Sequence, residues 1–379
     1  MNILVFTWDY PDRNRSTFTF VKQLVDEFVR QGNDCCVISP YSITSNRRFY
    51  RFRERITFEN GHCVTVLRPN YISFSSWRIG SIKLTELSRK VANKFATCFL
   101  PFKPDVVYGH FWQCGYEGYR YAKKIHVPLF LATGEDHITF GDDMPAGTLA
   151  PFLDYISGVI CVSTQKRNEA VKKRLADESK CFVAPNGYND QLFHPMDRLA
   201  LRKKYNIDAD AFIISFVGTF MNRKGVNRLS EAIQSLNNPN IKSFFIGGEG
   251  EGEYIRPSCP GIIYEGRLSH SLIPEYLSMS DVFVLPTLSE GCSNSVVEAV
   301  GCGLPIISSD RDFNYDVLDN SNAILVDPSD VSQIADAIQL LYYDRNKLKE
   351  LADGSKKKAQ ELTLEKRATS ILNFIKSKV

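Results

Sequence analysis

Glu290 and Glu298 lie in the stretch LPTLSEGCSNSVVEAVGCGLPIISSD, residues 285–310, and their surroundings give the two carboxylates a chemical use. An apolar run, Asp281 to Leu285, stops at Pro286 and hands over to a polar loop carrying Glu290 and Gly291. Ser293 or Asn294 can cap a helix that starts near Ser295, Gly303 can end it, and Pro305 opens the next strand. The start of such a helix exposes unpaired N–H groups and the positive end of its dipole. Cys292, Ser293, Asn294 and Ser295 therefore form a site for a diphosphate. Glu290, just outside that site, is placed to accept hydrogen bonds from sugar hydroxyls, and Glu298, further along the helix, from ribose hydroxyls. Carboxylates so close to an anion need hydroxyl donors as partners, and a nucleotide-diphosphate sugar supplies them.

A second stretch adds positive charge. GTFMNRKGV, residues 218–226, follows a strand and precedes a helix. Gly218 lets backbone approach a ligand closely, and Arg223 and Lys224 put two cations beside the phosphate site. IGGEGEGE contains Gly248 in a glycine-rich loop. It fails the G-x-G-x-x-G spacing because Glu253 stands where the third glycine is needed, and Glu249, Glu251 and Glu253 would repel a pyrophosphate. The loop reads equally as a plain turn or as one lying near a base or ribose. Arg267 and Leu268, in EGRLSH, are candidates for backbone contacts to a base.

The Glu-x7-Glu spacing within SEGCSNSVVEAVGCGLPII resembles the donor-site signature of glycosyltransferase family 4, the retaining group 1 glycosyl transferases. APNGYNDQLFHP, with Asn186, Gly187, Phe193 and Pro195, is similar to that family's inter-domain motif. The resemblance implies a GT-B fold: two Rossmann-like, doubly wound parallel-sheet domains facing a cleft, with the C-terminal helix crossing back to the first domain. It implies transfer of a hexosyl unit with retained configuration from a UDP-, GDP- or ADP-sugar donor to a glycan or lipid-linked acceptor. In that picture Arg223 and Lys224 neutralise the departing diphosphate, Glu290 orients the donor sugar, Glu298 holds the ribose, and no metal or further cofactor is required. Thr219 stands where the family often has Arg.

The elements that must position these residues follow from hydrophobic rhythm. Asn2 to Thr7 is a first strand, a helix follows from Phe18, and strands recur at DVVYG, PLFLA, GVICVS and KCFVA. Alternating strands and helices predict parallel sheets, with ligands at the carboxyl ends of the strands. The rhythm pauses near Pro185 and resumes at FIISFVG. We therefore expect an acceptor-side domain over residues 1–188, rejoined by a terminal helix over 364–379, and a donor domain over 189–363. Apolar residues make up 44% of the 379-residue chain and charged residues 23%, an ordinary globular balance. A net charge of +3 gives no ground for a nucleic-acid partner. MNILVFTWDYP reads as a strand, not a signal peptide, and no apolar run is long enough to span a bilayer. Ten scattered cysteines without C-x2-C pairs suit reduced thiols in the cytoplasm.

In the first domain, His110 follows DVVYG and resembles a family histidine at the cleft; as a lone histidine it reads equally as a packing residue. LATGEDH has Thr133 at a family histidine position, which leaves Glu135, Asp136 and His137 as acceptor-side candidates. Arg13, Asn14, Arg15, Ser16 and Thr17 replace the family's Gly-Gly turn, and Ser16 and Thr17 are expected to begin a helix. Between Trp77 and Lys103, basic residues alternate with Leu87, Val91, Phe95 and Phe99. That pattern fits peripheral contact with the inner face of a membrane, but packing of an ordinary helix on the sheet is the preferred expectation. Bacterial surface polysaccharide or lipopolysaccharide synthesis is the context that the resemblance suggests. A sugar-nucleotide epimerase and a non-catalytic glycan-binding protein are the alternatives.

Overall fold

The apolar runs become the strands of two separate sheets in a computed structural model that describes residues 1–379 apart from 13–16, 45–50, 81, 143 and 251. Arg13, Asn14, Arg15, Ser16 and Glu251 therefore lie outside the described residues. One compact unit comprises 1–162, 166–184 and 368–379, and a second comprises 163–165 and 185–367.

The first unit carries strands β1 (Asn2–Phe6), β2 (Asp34–Ile38), β3 (Arg53–Thr57), β4 (Cys63–Leu67), β5 (Val106–His110), β6 (Leu129–Thr133), β7 (Ile156–Cys161) and β8 (Cys181–Val183). Their order is β8-β7-β6-β5-β1-β2-β4-β3, parallel except for β3, whose Arg53, Glu54 and Arg55 blunt the edge. Alternation along β1 sends Ile3 and Val5 to one core and Leu4 and Phe6 to the other. The first core is closed by helix α1 (Thr19–Arg30), through Val21, Leu24, Val25 and Phe28, and by Ala368, Ile371, Leu372 and Ile375 near the C-terminus. α1 begins at Thr19, later than expected: Phe18 turns through the left-handed region at φ 58°, and the Thr17 hydroxyl donates to the Asp9 carboxylate in a turn.

Helices α2 (Leu84–Ala96) and α3 (Trp112–Ile125) pack together in an unexpected orientation. Glu117 of α3 is buried, its carboxyl is pushed up by that burial, and it needs polar partners. Arg89 of α2 pairs with it at 2.7 Å and Asn93 donates to it at 2.5 Å, so α2 turns its polar and small residues (Ala92, Asn93, Ala96) inward. Leu87, Val91 and Phe95 are left exposed, against the expectation that they pack on the sheet.

The second unit carries β9 (Phe212–Thr219), β10 (Ile241–Gly248), β11 (Ile262–Gly266), β12 (Val282–Leu285), β13 (Ile306–Ser309) and β14 (Ala323–Val326), all parallel, in the order β11-β10-β9-β12-β13-β14. The boundary falls between 184 and 185, just ahead of the expected 188, because Tyr188 is stitched into the second unit. Its N–H donates to Leu362 at 3.0 Å, its carbonyl accepts from Leu364 at 2.9 Å, and its ring packs against Gly301 so closely that a Cβ there would lie 2.5 Å away. The same stitching keeps 364–367 with the second unit, and only 368–379 belong to the first. All ten cysteines are free thiols, and Cys98 is exposed.

Candidate functional site

In the second unit the strand order reverses beside β9, between its neighbours β10 and β12, and this is where open parallel sheets hold ligands. The loop after β9 makes a 3-10 turn, Asn222–Lys224, and ends at Gly225. Gly225 has φ 80° and faces the Pro286 carbonyl, which would lie 2.3 Å from a Cβ, so this position demands glycine. The loop after β12 is laced onto it. The Leu288 N–H donates to the Arg223 carbonyl at 2.8 Å, and the Arg223 guanidinium donates to the Ser289 carbonyl at 2.6 Å. Arg228 clamps both loops through Pro286 O and Asn222 Oδ1.

This lacing brings Arg223, Lys224 and Glu290 together. Lys224 Nζ donates to Glu290 Oε1, the Thr287 hydroxyl donates to the same oxygen at 3.2 Å, and Arg223 Nη1 stands 3.7 Å from it. Two cations and one buried carboxylate leave one net positive charge. Gly291 and Cys292 lead on to helix α4 (Asn294–Gly301), whose cap residue Ser293 makes no side-chain capping bond. The first-turn N–H groups, including those of Asn294 and Ser295, are thus uncapped by side chain, and the helix dipole adds about half a positive charge there. The Cys292 carbonyl is held by Asn186 Nδ2 at 2.9 Å, and burial pushes its thiol up to about 11, which makes it a packing residue.

Glu298, further along α4, accepts from His270 Nε2 at 2.8 Å, and Phe193 meets the His270 ring edge-on at 5.1 Å. The hydrogen bond to Glu298 raises the pKa of His270. Sequence reasoning passed over His270, because its partner lies on a different element 28 residues on. The pattern EGRLSH after β11, a polar turn at a strand's carboxyl end, was the available signal.

Gly218, Gly248, Arg267 and Leu268 line one cavity of about 280 Å³ at the carboxyl ends of β9 and β10, together with Thr219 and Ile273. Gly247 makes the close approach there, since a Cβ on it would sit 1.8 Å from the Gly218 carbonyl. Arg267 donates to the Glu249 carbonyl, which fixes the loop. A larger cavity of about 500 Å³ lies at the opposite, amino end of the strands, lined by Arg198, Arg202 and Asp281 among others. Arg202 is occupied there by the carbonyls of Ala209, Ala211 and Met279 and by the Asp281 carboxylate, so that cavity is framed by structural bonds rather than poised ones.

The first unit has its own reversal point, beside β1. His110, at the end of β5, is buried against the rings of Phe20 at 5.4 Å and Phe111 at 4.8 Å. Glu135 accepts from the Thr133 hydroxyl at 2.8 Å and from the N–H groups of Gly134 and Trp112, so it caps α3; burial raises its pKa. The Asp136 carbonyl accepts from buried Lys166. Phe111 adopts φ 80°, an unusual conformation for a bulky residue that no sequence pattern announces.

Two mainly parallel α/β units, each with a strand reversal in its sheet, have the GT-B fold. Sucrose-phosphate synthase from Thermosynechococcus elongatus superposes with a TM-score of 0.77 at 18% identity, over 99% of this chain and 98% of that one. Anabaena HepE, solved with UDP-glucose, gives a TM-score of 0.73 at 15% identity over the full length of both chains. Residues 197–358 match the family described as glycosyl transferases group 1. TuaC of Bacillus subtilis, named as a glycosyltransferase of teichuronic acid biosynthesis, is 25% identical over 368 residues, 93% of this chain and 92% of its own.

Proposed function

We propose that this chain is a retaining, metal-independent hexosyltransferase that moves a sugar from a nucleotide diphosphate to a hydroxyl of a glycan or lipid-linked glycan in bacterial surface polysaccharide or lipopolysaccharide assembly. The observation that carries this reading is the gathering of Arg223, Lys224 and Glu290 in the two loops that flank the strand reversal, next to the uncapped start of α4. The group 1 family match, the teichuronic acid relative and the UDP-glucose complex of a structural neighbour support it.

As the bond between the anomeric carbon and the diphosphate oxygen breaks, negative charge grows on the leaving group. Arg223, Lys224 and the first-turn amides of α4 stabilise that charge, the largest contribution such a site makes. They take the place a divalent cation would otherwise fill. Glu290 accepts from hydroxyls of the donor sugar and Glu298 from the ribose, while the base and ribose face Gly218, Gly248, Arg267 and Leu268. The acceptor oxygen bonds to the anomeric carbon on the face the diphosphate leaves, and its proton passes to a leaving phosphate oxygen, so no separate base is needed. His110, Glu135 and Asp136 belong to the acceptor side of the reaction.

Incubating the protein with UDP-, GDP- and ADP-hexoses and candidate glycan or lipid-linked acceptors, then reading anomeric couplings by NMR, tests the reading. The expected product keeps the donor's configuration, and EDTA leaves its yield unchanged. Inverted product would overturn retention, loss of yield in EDTA would overturn metal independence, and isomerised free donor without transfer would favour an epimerase.

A further inference from the structure

We infer that the outward face of α2 docks on the surface of an anionic lipid bilayer. Leu87, Val91 and Phe95 recur every four residues and are 47%, 62% and 55% exposed, a stripe along one side of a helix too short to cross a membrane. Phe99 continues the stripe, and its ring packs on those of Phe95 at 4.9 Å and Phe52 at 5.2 Å. The loop ahead of the helix adds Phe74 and Trp77, the latter 70% exposed. It is held in place: the Phe74 N–H donates to Thr85 Oγ1 at 2.9 Å and the Ile72 N–H to Ser88 Oγ at 3.0 Å. The exposure is built in, because Glu117 claims the opposite face of α2 through Arg89 and Asn93.

Charge decides what covers this face. Leu87 and Val91 also line a groove of about 390 Å³ between α2 and α3, rimmed by Lys90, Lys94, Arg120 and Lys124. Among the described residues Lys94, Arg120 and Lys124 form no ion pair, and Lys90 stands 5.6 Å over the Tyr116 ring. The acids nearby are already spent, Glu86 on Lys83 at 3.5 Å and Glu117 on Arg89. A second copy of the chain, seated by a two-fold axis, would set these cations against their own kind. A bilayer with anionic headgroups meets both demands, since acyl chains receive the stripe while phosphates face the lysines. Trp77 suits the headgroup level, where indole rings concentrate. This inference is independent of the transferase reading.

Vesicle flotation in about 0.1 M salt tests it, with phosphatidylcholine vesicles containing or lacking phosphatidylglycerol. The whole chain is expected to float with the anionic vesicles and to be released in about 1 M salt. Val91→Ser/Phe95→Ser should lower the partition coefficient roughly tenfold or more. Lys94→Glu/Lys124→Glu should lower it at least fivefold per residue changed, an order-of-magnitude figure. All four side chains are exposed, so circular dichroism and melting should match the unaltered chain. No flotation with anionic vesicles, equal flotation with neutral ones, or undiminished binding by either double variant would overturn the inference. So would sedimentation showing a dimer that Val91→Ser/Phe95→Ser dissolves. Because lipid binding is the readout, a chain inactive on every nucleotide sugar would still pass or fail this test by itself.

Discussion

The two sheets place their reversal points at equivalent positions and furnish them with opposite chemistry. Beside β9 the loops are polar and cross-braced, with Arg223, Lys224 and Glu290 within one ion-pair cluster and a helix start left uncapped by side chain. Beside β1 the loops are aromatic: Phe20, His110 and Phe111 pack together, Trp8 lies 6.1 Å from Phe111, and the carboxyl of Glu135 is used up in capping α3. Topology therefore fixes where a ligand can bind, and loop composition fixes what kind. The second unit's loops carry a cationic cluster, and the first unit's an aromatic one.

Substitutions can break that contrast. The largest effect is expected for Lys224→Ala, which should lower kcat about 10³-fold with circular dichroism unchanged, since in the proposed mechanism it removes a donor to the leaving group. Glu290→Ala should lower kcat about 10²-fold yet leave affinity for free UDP or GDP undiminished, because in the proposed mechanism the carboxylate serves the sugar and not the diphosphate. A matching loss of nucleotide affinity would merge the two roles. In the first unit, Glu135→Ala should destabilise the fold by about 1–3 kcal/mol in denaturant titration, leaving the Trp112 and Gly134 N–H groups unpaired. Its effect on nucleotide affinity should be nil.

His270→Gln is expected to give the smallest change, a rise in donor KM of roughly fivefold. The pH dependence sharpens it. His270 has a folded pKa above its ordinary value, owing to Glu298. The contribution of the charged pair is thus full below the unfolded pKa and fades as pH rises through the folded one. Donor KM should climb as pH rises through the folded pKa of His270 in the unaltered protein and stay flat in His270→Gln.

Much of this contrast was legible in the sequence, and the rest was hidden for identifiable reasons. Glu290, Arg223 and Lys224 could be read because they sit beside strand ends and Gly-Pro punctuation, where local pattern determines placement. The Glu298–His270 pair could not, since it joins a helix to a loop on a different strand. The facing of α2 escaped for a similar reason. Periodicity shows that Leu87, Val91 and Phe95 share a side, but only the buried carboxyl of Glu117 on α3 decides that the side points outward. The start of α1 shifted because the Thr17 hydroxyl finds Asp9, a turn contact that helix-capping rules do not foresee.

The central claim is that the loops beside β9 bind a nucleotide diphosphate through Arg223 and Lys224. Isothermal titration of UDP and GDP into the unaltered chain and into Arg223→Ala/Lys224→Ala tests it most directly. The account predicts binding by the unaltered chain that weakens about 10²-fold or more in the double variant and falls steeply with added salt. Equal affinity in the two proteins, or no binding of any nucleoside diphosphate by the unaltered chain, would contradict it.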